Sequence, residues 1–213
     1  EVKKILKLRG LWSSLPNAAK AHIRAKERET QSAEFFDHVE NILVGTNRLS
    51  VNAAIAQARN DYRISSLEGY LEGDVTAAAS KVMDIALKTA PKNRPVAFIC
   101  GGETTVIVRG NGLGGRNQEL ALRFAILAES SRLKGNWVFV SGGTDGRDGP
   151  TNSAGGLVDR FSLDRMRARG IDINDVLKSN DSYRALEASN DLLIIGGTGT
   201  NVADLQVLLI SPQ

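Results

Sequence analysis

The sequence predicts an α/β protein: a mixed sheet flanked by helices, preceded by a βαβα segment. Three observations predict it. Short apolar runs at 96–100, 137–140 and 192–195 have the length and composition of buried strands. Longer stretches at 49–60, 75–90 and 115–130 carry apolar residues at helical spacing, the first two before those runs and the third between two of them. Glycine is frequent, 21 of 213 residues, which suits many strand-to-helix turns.

The elements follow in order. Residues 1–29 read as helical, with a break at Leu15–Pro16, because proline lacks the N–H and crowds the preceding turn. Val2, Ile5, Leu6 and Leu8 form one apolar face, and residues 20–29 are polar and face solvent. Residues 30–38 read as a connector. A short apolar run at 41–44 leads into Gly45-Thr46-Asn47-Arg48 and a helix over 49–60. Residues 62–67 read as the second strand. Gly73-Asp74 marks a helix start, with Asp74 as N-cap of a helix over 75–90. This β-α-β-α rhythm implies parallel strands. Pro91-Lys92-Asn93-Arg94-Pro95 reads as a linker, so the domain boundary is placed between 1–92 and 93–213.

After the linker, 96–100 is a buried strand and Gly101-Gly102-Glu103 is expected to turn the chain. Residues 104–109, TTVIVR, alternate polar and apolar, as in a half-exposed antiparallel partner. The helix over 115–130 sets Leu120, Phe124 and Leu127 on one face. A strand at 137–140, a packed segment at 154–159, short helices at 161–169 and 173–178, and closing strands at 192–195 and 202–210 complete the chain.

Composition excludes several classes. The chain is long enough to bury a real core. No apolar run approaches ~18–20 residues, so no membrane span is expected, and the first residues lack the order of a signal peptide. Cys100 is the only cysteine, which points to a reducing compartment, the cytoplasm or, in a eukaryote, the mitochondrion. The net charge of +3 is uneven: residues 1–30 hold eight Lys/Arg against three Glu. Trp12 is the single aromatic among these charges, so they read as a solvated helix face rather than a nucleic-acid surface. The sequence starts at Glu1 without a Met, and we expect a fragment of a longer chain.

Four glycine-rich polar turns, three of them directly after apolar strands, suggest one shared rim. Gly110, Gly112 and Gly115 match G-x-G-x-x-G, the dinucleotide fingerprint. The preceding strand alternates, and the strand after the helix ends in Ser141-Gly142-Gly143, where a ribose-binding acid is required. An anion-binding helix start explains the glycines without a nicotinamide cofactor. Arg116 in the first helical turn opposes the helix dipole, so it needs an anionic partner, either a ligand carboxylate or phosphate or a neighbouring Asp. In the second turn, Thr144 to Thr151, Asp145 and Asp148 offer oxygens to Mg²⁺ or accept a proton from a hydroxyl nucleophile. The plainer reading is an Asp-Gly turn capping the next helix. The histidines, His22 and His38, lie in the polar first segment, away from any triad or zinc cluster, and no Walker-type phosphate loop is present.

Read together, the motifs resemble a known family. They are Gly101-Gly102-Glu103-Thr104-Thr105-Val106, Gly110-Asn111-Gly112 with Gly114-Gly115-Arg116-Asn117-Gln118-Glu119, Gly143-Thr144-Asp145-Gly146 with Asp148-Gly149-Pro150-Thr151, Asn180-Asp181-Ser182-Tyr183, and Gly199-Thr200-Asn201-Val202 with Asp204-Leu205. In this order they resemble the MOFRL domain, the C-terminal part of class II glycerate kinases (glycerate 2-kinases). Upstream, Val44-Gly45-Thr46-Asn47-Arg48-Leu49 and Leu67-Glu68-Gly69 with Glu72-Gly73 resemble the end of the Rossmann-like N-terminal domain of those enzymes.

The resemblance implies phosphorylation of D-glycerate by ATP with Mg²⁺ at the 2-hydroxyl, in a cleft between two domains. The larger part of the N-terminal domain, with its Gly-Lys-Ala-Ala lysine, has no counterpart here, so this chain alone is expected to be inactive. It would need that missing domain as partner, and self-association through the uncovered surface is a further expectation. Arg116 would clamp an anion, assisted by the amides of Gly114 and Gly115. Asp145 and Asp148 would hold Mg²⁺ or orient the hydroxyl. Glu103, Asn117, Thr144, Asn201 and Asp204 would line the rim, and Asn47 and Arg48 would reach it from the other domain. Two alternatives stay open: an NAD(P)-dependent hydroxypyruvate reductase, a label members have also carried, and a non-catalytic ligand- or partner-binding domain.

Overall fold

The computed structural model describes residues 2–26, 39–67, 69–89 and 93–212. The expected connector at 30–38, with His38, and Pro91-Lys92 of the expected linker lie outside the described residues. Two compact units are present, Glu1–Leu43 and Val44–Gln213.

In the first unit, α1 (Val2–Leu8) and α2 (Asn17–Lys26) flank a turn. The helical reading is interrupted earlier than expected, since α1 ends at Leu8, but α2 begins directly after Pro16, whose carbonyl accepts from the Lys20 amide at 3.1 Å. The Trp12 ring lies under two cations, Lys3 Nζ at 5.9 Å and Arg24 Cζ at 5.8 Å.

The second unit is built on seven strands among the described residues, in the order β1 (Arg63–Ser66), β3 (Val96–Thr105), β7 (Asp204–Ser211), β4 (Asn136–Gly143), β5 (Gly155–Asp159) and β6 (Leu192–Leu193), with β2 (Leu71–Asp74) also on β3. β1 and β2 run parallel to β3, in line along one of its edges; the other pairings are antiparallel. The helices are α3 (Asn47–Ala58), α4 (Val75–Lys88), α5 (Arg116–Ser130), α6 (Ser162–Ala168), α7 (Ile173–Ser179) and α8 (Ser182–Ser189). The sheet is therefore mixed and flanked by helices, as expected, and mostly antiparallel.

The core lies between the sheet and α4, α5 and α8. Phe98, Phe139, Val158 and Leu208 meet Val82, Leu120, Phe124 and Leu186 there, all fully buried. Phe124 packs edge-on to Trp137 at 5.4 Å and against Phe139 at 4.4 Å. Successive strand residues alternate faces, so Gly101, next to core-facing Cys100, presents the opposite face, where α3 lies.

Three expectations are corrected. Residues 41–44 form no strand, and Ile42, Leu43 and Val44 are exposed, so the segment before α4 reads α3-β1-β2 rather than βαβ. Gly101-Gly102-Glu103 is no turn; β3 runs straight through it. The glycines are there for close approach: a Cβ on Gly101 would strike the Asn47 side chain, and one on Gly102 the Leu71 backbone. Residues 106–109 accordingly form no strand, and the antiparallel neighbour of β3 is β7. Asp74, in contrast, caps α4 as expected, accepting from the Thr76 amide at 2.8 Å.

Candidate functional site

The site gathers at the N-terminus of α5. Its N-cap, Gly115, has no side chain to satisfy the first amides. Asp148, 2% exposed, supplies that cap from a distant loop. Its carboxylate accepts from the amides of Asn117 (3.1 Å) and Gln118 (2.9 Å) and from both their side-chain NH₂ groups, at 3.3 and 3.1 Å. Burial pushes the Asp148 carboxyl above the ordinary range, and the hydrogen bonds from Gln118 and Asn117 pull it back only in part. A Cβ on Gly115 would overlap this carboxylate, so the glycine makes room for Asp148. The anion at this helix start is a residue of the chain itself.

The glycines before it have similar neighbours. A Cβ on Gly110 would strike Ser179, one on Gly112 Asp181, and one on Gly114 Ser182. The loop is glycine-rich because it lies flat on the turn between α7 and α8.

Arg116 follows the cap. Its Nε and Nη2 donate to the two oxygens of Asp204, at 2.7 and 2.9 Å, and Nη2 lies 3.3 Å from Glu103. The neighbouring-Asp partner left open by the sequence is thus observed. Bonding to Asp204 raises the guanidinium's affinity for its proton further, so it is permanently charged. The Arg116 side chain is 35% exposed while that of Asp204 is fully buried, so the acid is the fixed member and the arginine the presented one. Asp204 is itself held from behind: Asn47 Nδ2 donates to the carbonyls of Asp204 and Val202, both at 2.8 Å.

Glu103, Gly114, Gly115, Arg116 and Asp148 line one cavity of about 730 Å³, with Glu72, Thr105 and Pro150. Asn117 lies beneath it, bonded to Asp148 and Ser141. Thr144 closes the neighbouring loop, donating to the Ala203 carbonyl at 2.7 Å and accepting from the Val202 amide at 2.9 Å. Asp145 is half-buried and accepts from the Arg147 amide at 2.9 Å. Asn201 accepts from the Ala203 amide at 3.3 Å, in the turn that enters β7. Arg48 stands apart: it lines a separate cavity of about 490 Å³ with Thr46, Tyr70 and Cys100. Cys100 is buried, and burial pushes its thiol up to about 12.

Glu72 and Gln118 belong to the site although the sequence assigned them no role. Both stood inside quoted motifs, and that was the available signal.

Among the described residues no cluster of three His, Cys, Asp or Glu is placed to hold a metal. Mg²⁺ takes as few as one or two carboxylates beside phosphate and water, so it needs no such cluster. Of the two expected ligands, Asp148 already turns its oxygens to four N–H donors, whereas Asp145 Oδ1 accepts from the Arg147 amide.

The fold and this site define an α/β protein that presents one anchored arginine over an otherwise acidic cavity. The sequence pattern of the MOFRL family matches residues 96–204. The glycerate 2-kinase of Pyrococcus horikoshii is 36% identical over 100% of this chain and 50% of its own length. The D-glycerate 2-kinase of Thermotoga maritima is 52% identical over 62% of this chain and 31% of its own. The crystal structure of glycerate kinase from Thermotoga maritima superposes with a TM-score of 0.75 at 41% identity, covering 81% of this chain and 42% of that one. The chain belongs to the MOFRL family, and the relatives it matches are glycerate kinases. It spans about half the length of the first of these relatives.

Proposed function

We propose that this chain is the C-terminal part of an ATP-dependent glycerate kinase acting on the 2-hydroxyl of D-glycerate. Arg116, held at the mouth of the cavity by Asp204, carries this reading. Phosphoryl transfer asks mainly for positioning and charge stabilisation, and an arginine already oriented by a buried acid supplies both. Nε and Nη2 are engaged, which leaves the Nη1 donors to meet the glycerate carboxylate or the moving phosphoryl group.

Glu72, Glu103 and Asp148 line the same cavity as Arg116, so carboxylates outnumber cations there. A bare polyanion would be repelled. The excess acid suits a magnesium-bound nucleotide and added lysines from the half of the relatives' length not represented here. Mg²⁺ would neutralise the phosphates, held through Asp145. Glu103 and Asn201 line the rim, Thr144 and Asn117 set the loops, and Arg48 with Asn47 faces the second cavity. The family boundary is placed at 92/93, just before the MOFRL pattern begins at residue 96, within the compact unit of residues 44–213. The hydroxypyruvate reductase reading loses its support, because Asp148 fills the helix start where a dinucleotide pyrophosphate would bind.

No helix among the described residues is long and apolar enough to cross a membrane. A reducing cytoplasm or mitochondrial matrix suits the single buried thiol.

The test uses the protein at its full native length. D-Glycerate with MgATP is expected to yield ADP and 2-phosphoglycerate, read by phosphorus NMR. Hydroxypyruvate with NADH is expected to leave the absorbance unchanged. Arg116→Ala is expected to lower turnover by about a hundredfold or more; near-normal kinetics would remove Arg116 from the mechanism.

A further inference from the structure

The motif Asn180-Asp181-Ser182-Tyr183 has no part in the chemistry above, yet the site loops rest on it. Asn180 ends α7 in the left-handed region, at φ 55°. Its Oδ1 accepts from the amides of Arg109 (2.6 Å) and Gly110 (3.2 Å). Its Nδ2 donates to the Ile107 carbonyl at 3.3 Å and to Glu119 Oε2 at 3.1 Å. Glu119 is buried and lies one turn beyond Arg116 on α5.

The residues around Asn180 continue the pattern. The Gly112 amide donates to the Ser179 carbonyl at 2.8 Å, the Leu113 amide to Asp181 Oδ1 at 3.0 Å, and the Tyr183 amide to the Leu113 carbonyl at 2.9 Å. Tyr183 Oη donates to Asn152 Oδ1 at 3.1 Å, in the loop that follows Asp148. Residues 179–183 therefore grip both loops of the cavity. Asn180 is the centre of the grip, since one side chain ties the glycine loop to the first turns of the helix bearing Arg116.

We propose that Asn180 is a positioning residue for Arg116: it fixes the glycine loop against α5 and so sets where the arginine meets its anion. The proposal rests on the kinase reading. Loop amides without a partner would move to solvent, and the loop would lose its single resting place. Misplacement of a clamp weakens binding and turnover without touching the reacting atoms.

The experiment compares Asn180→Gly and Asn180→Asp with the wild type in the full-length protein. Asn180→Gly keeps the left-handed backbone and removes the side chain. Asn180→Asp keeps the oxygens that face the loop amides and sets a second carboxylate against Glu119. Hydrogen exchange of residues 109–113 is read beside the KM for glycerate and kcat.

In Asn180→Gly the Arg109 and Gly110 amides are expected to exchange at least about tenfold faster. The KM is expected to rise about tenfold, with a smaller change in kcat. Asn180→Asp is expected to retain more of the protection. Unchanged exchange in Asn180→Gly, or faster exchange with unchanged KM, would overturn the proposal. If the wild type moves no phosphoryl group to glycerate, the kinase reading falls separately. Hydrogen exchange of the Asn117 and Gln118 amides, at the start of the helix that bears Arg116, then decides: faster exchange in Asn180→Gly supports the positioning role, and unchanged exchange overturns it.

Discussion

Arg116 and Asp204 meet through two hydrogen bonds, Nε to Oδ2 at 2.7 Å and Nη2 to Oδ1 at 2.9 Å, with the acid fully buried and the arginine half-exposed. The pair aims the guanidinium, because a fork held on one side can turn only its other side outward. Asp204→Asn keeps the shape and removes one acceptor oxygen and the charge. In the full-length enzyme it is expected to lower kcat/KM for glycerate by roughly ten- to a hundredfold, measured by steady-state kinetics. An unchanged value would show that Arg116 needs no anchor.

Asp148 is expected to act as a remote helix cap. Asp148→Ala leaves two buried backbone amides and the Asn117 side-chain amide without this acceptor, while Gln118 Nε2 keeps the residue-148 carbonyl and Thr151 Oγ1. It is expected to cost about 3 kcal/mol or more in urea denaturation, and Asp148→Asn, which keeps one acceptor, distinctly less. The loss is expected to be equal with magnesium and with EDTA. Dependence on magnesium would instead mark Asp148 as a metal ligand.

Two glycines separate packing from mere flexibility. Gly102→Ala sets a methyl group against the Leu71 backbone, which cannot withdraw without breaking the β2–β3 pairing. It is expected to cost about 1–3 kcal/mol. Gly197 has open space around it and is expected to accept alanine within about 0.5 kcal/mol. Denaturation midpoints of the two variants provide the comparison.

Asp74 gives a pH test. Hydrogen bonds from Thr76, side chain and backbone, hold its carboxyl below the ordinary value. A group depressed in the folded state stabilises above its unfolded pKa, about 3.9, and loses that effect as pH falls through the folded value. Asp74→Ala is therefore expected to cost about 1 kcal/mol at pH 7. The gap to wild type is expected to narrow below about pH 4. A gap independent of pH would assign the cost to lost packing.

The legible parts of the chain were those with local causes. The helical spacing of α5, the buried run of β4 and the Asp74 cap each need only neighbouring residues to be recognised. What stayed hidden depended on contacts distant in sequence. Gly101 and Gly102 look like a turn until Asn47 and Leu71 arrive beside them. The alternation in TTVIVR reflects the exposed end of β3 and the coil after it rather than a separate strand. Asp148 lies in a loop with every local sign of a ligand site, and its partners are thirty residues upstream. Arg116 was recognised from the helix dipole alone, but which acid answers it depended on β7 being placed beside β3.

The way β1 and β2 lie end to end along β3 separates ancestry from foldability. The inherited MOFRL pattern begins at residue 96, inside the sheet's seam rather than at its rim. A piece cut before that point would carry its full set of family motifs and a ten-residue strand stripped along one side. Bare amides and carbonyls on such an edge recruit any other strand within reach. The family pattern is thus smaller than the compact unit that contains it, and a laboratory fragment is best drawn to include α3, β1 and β2.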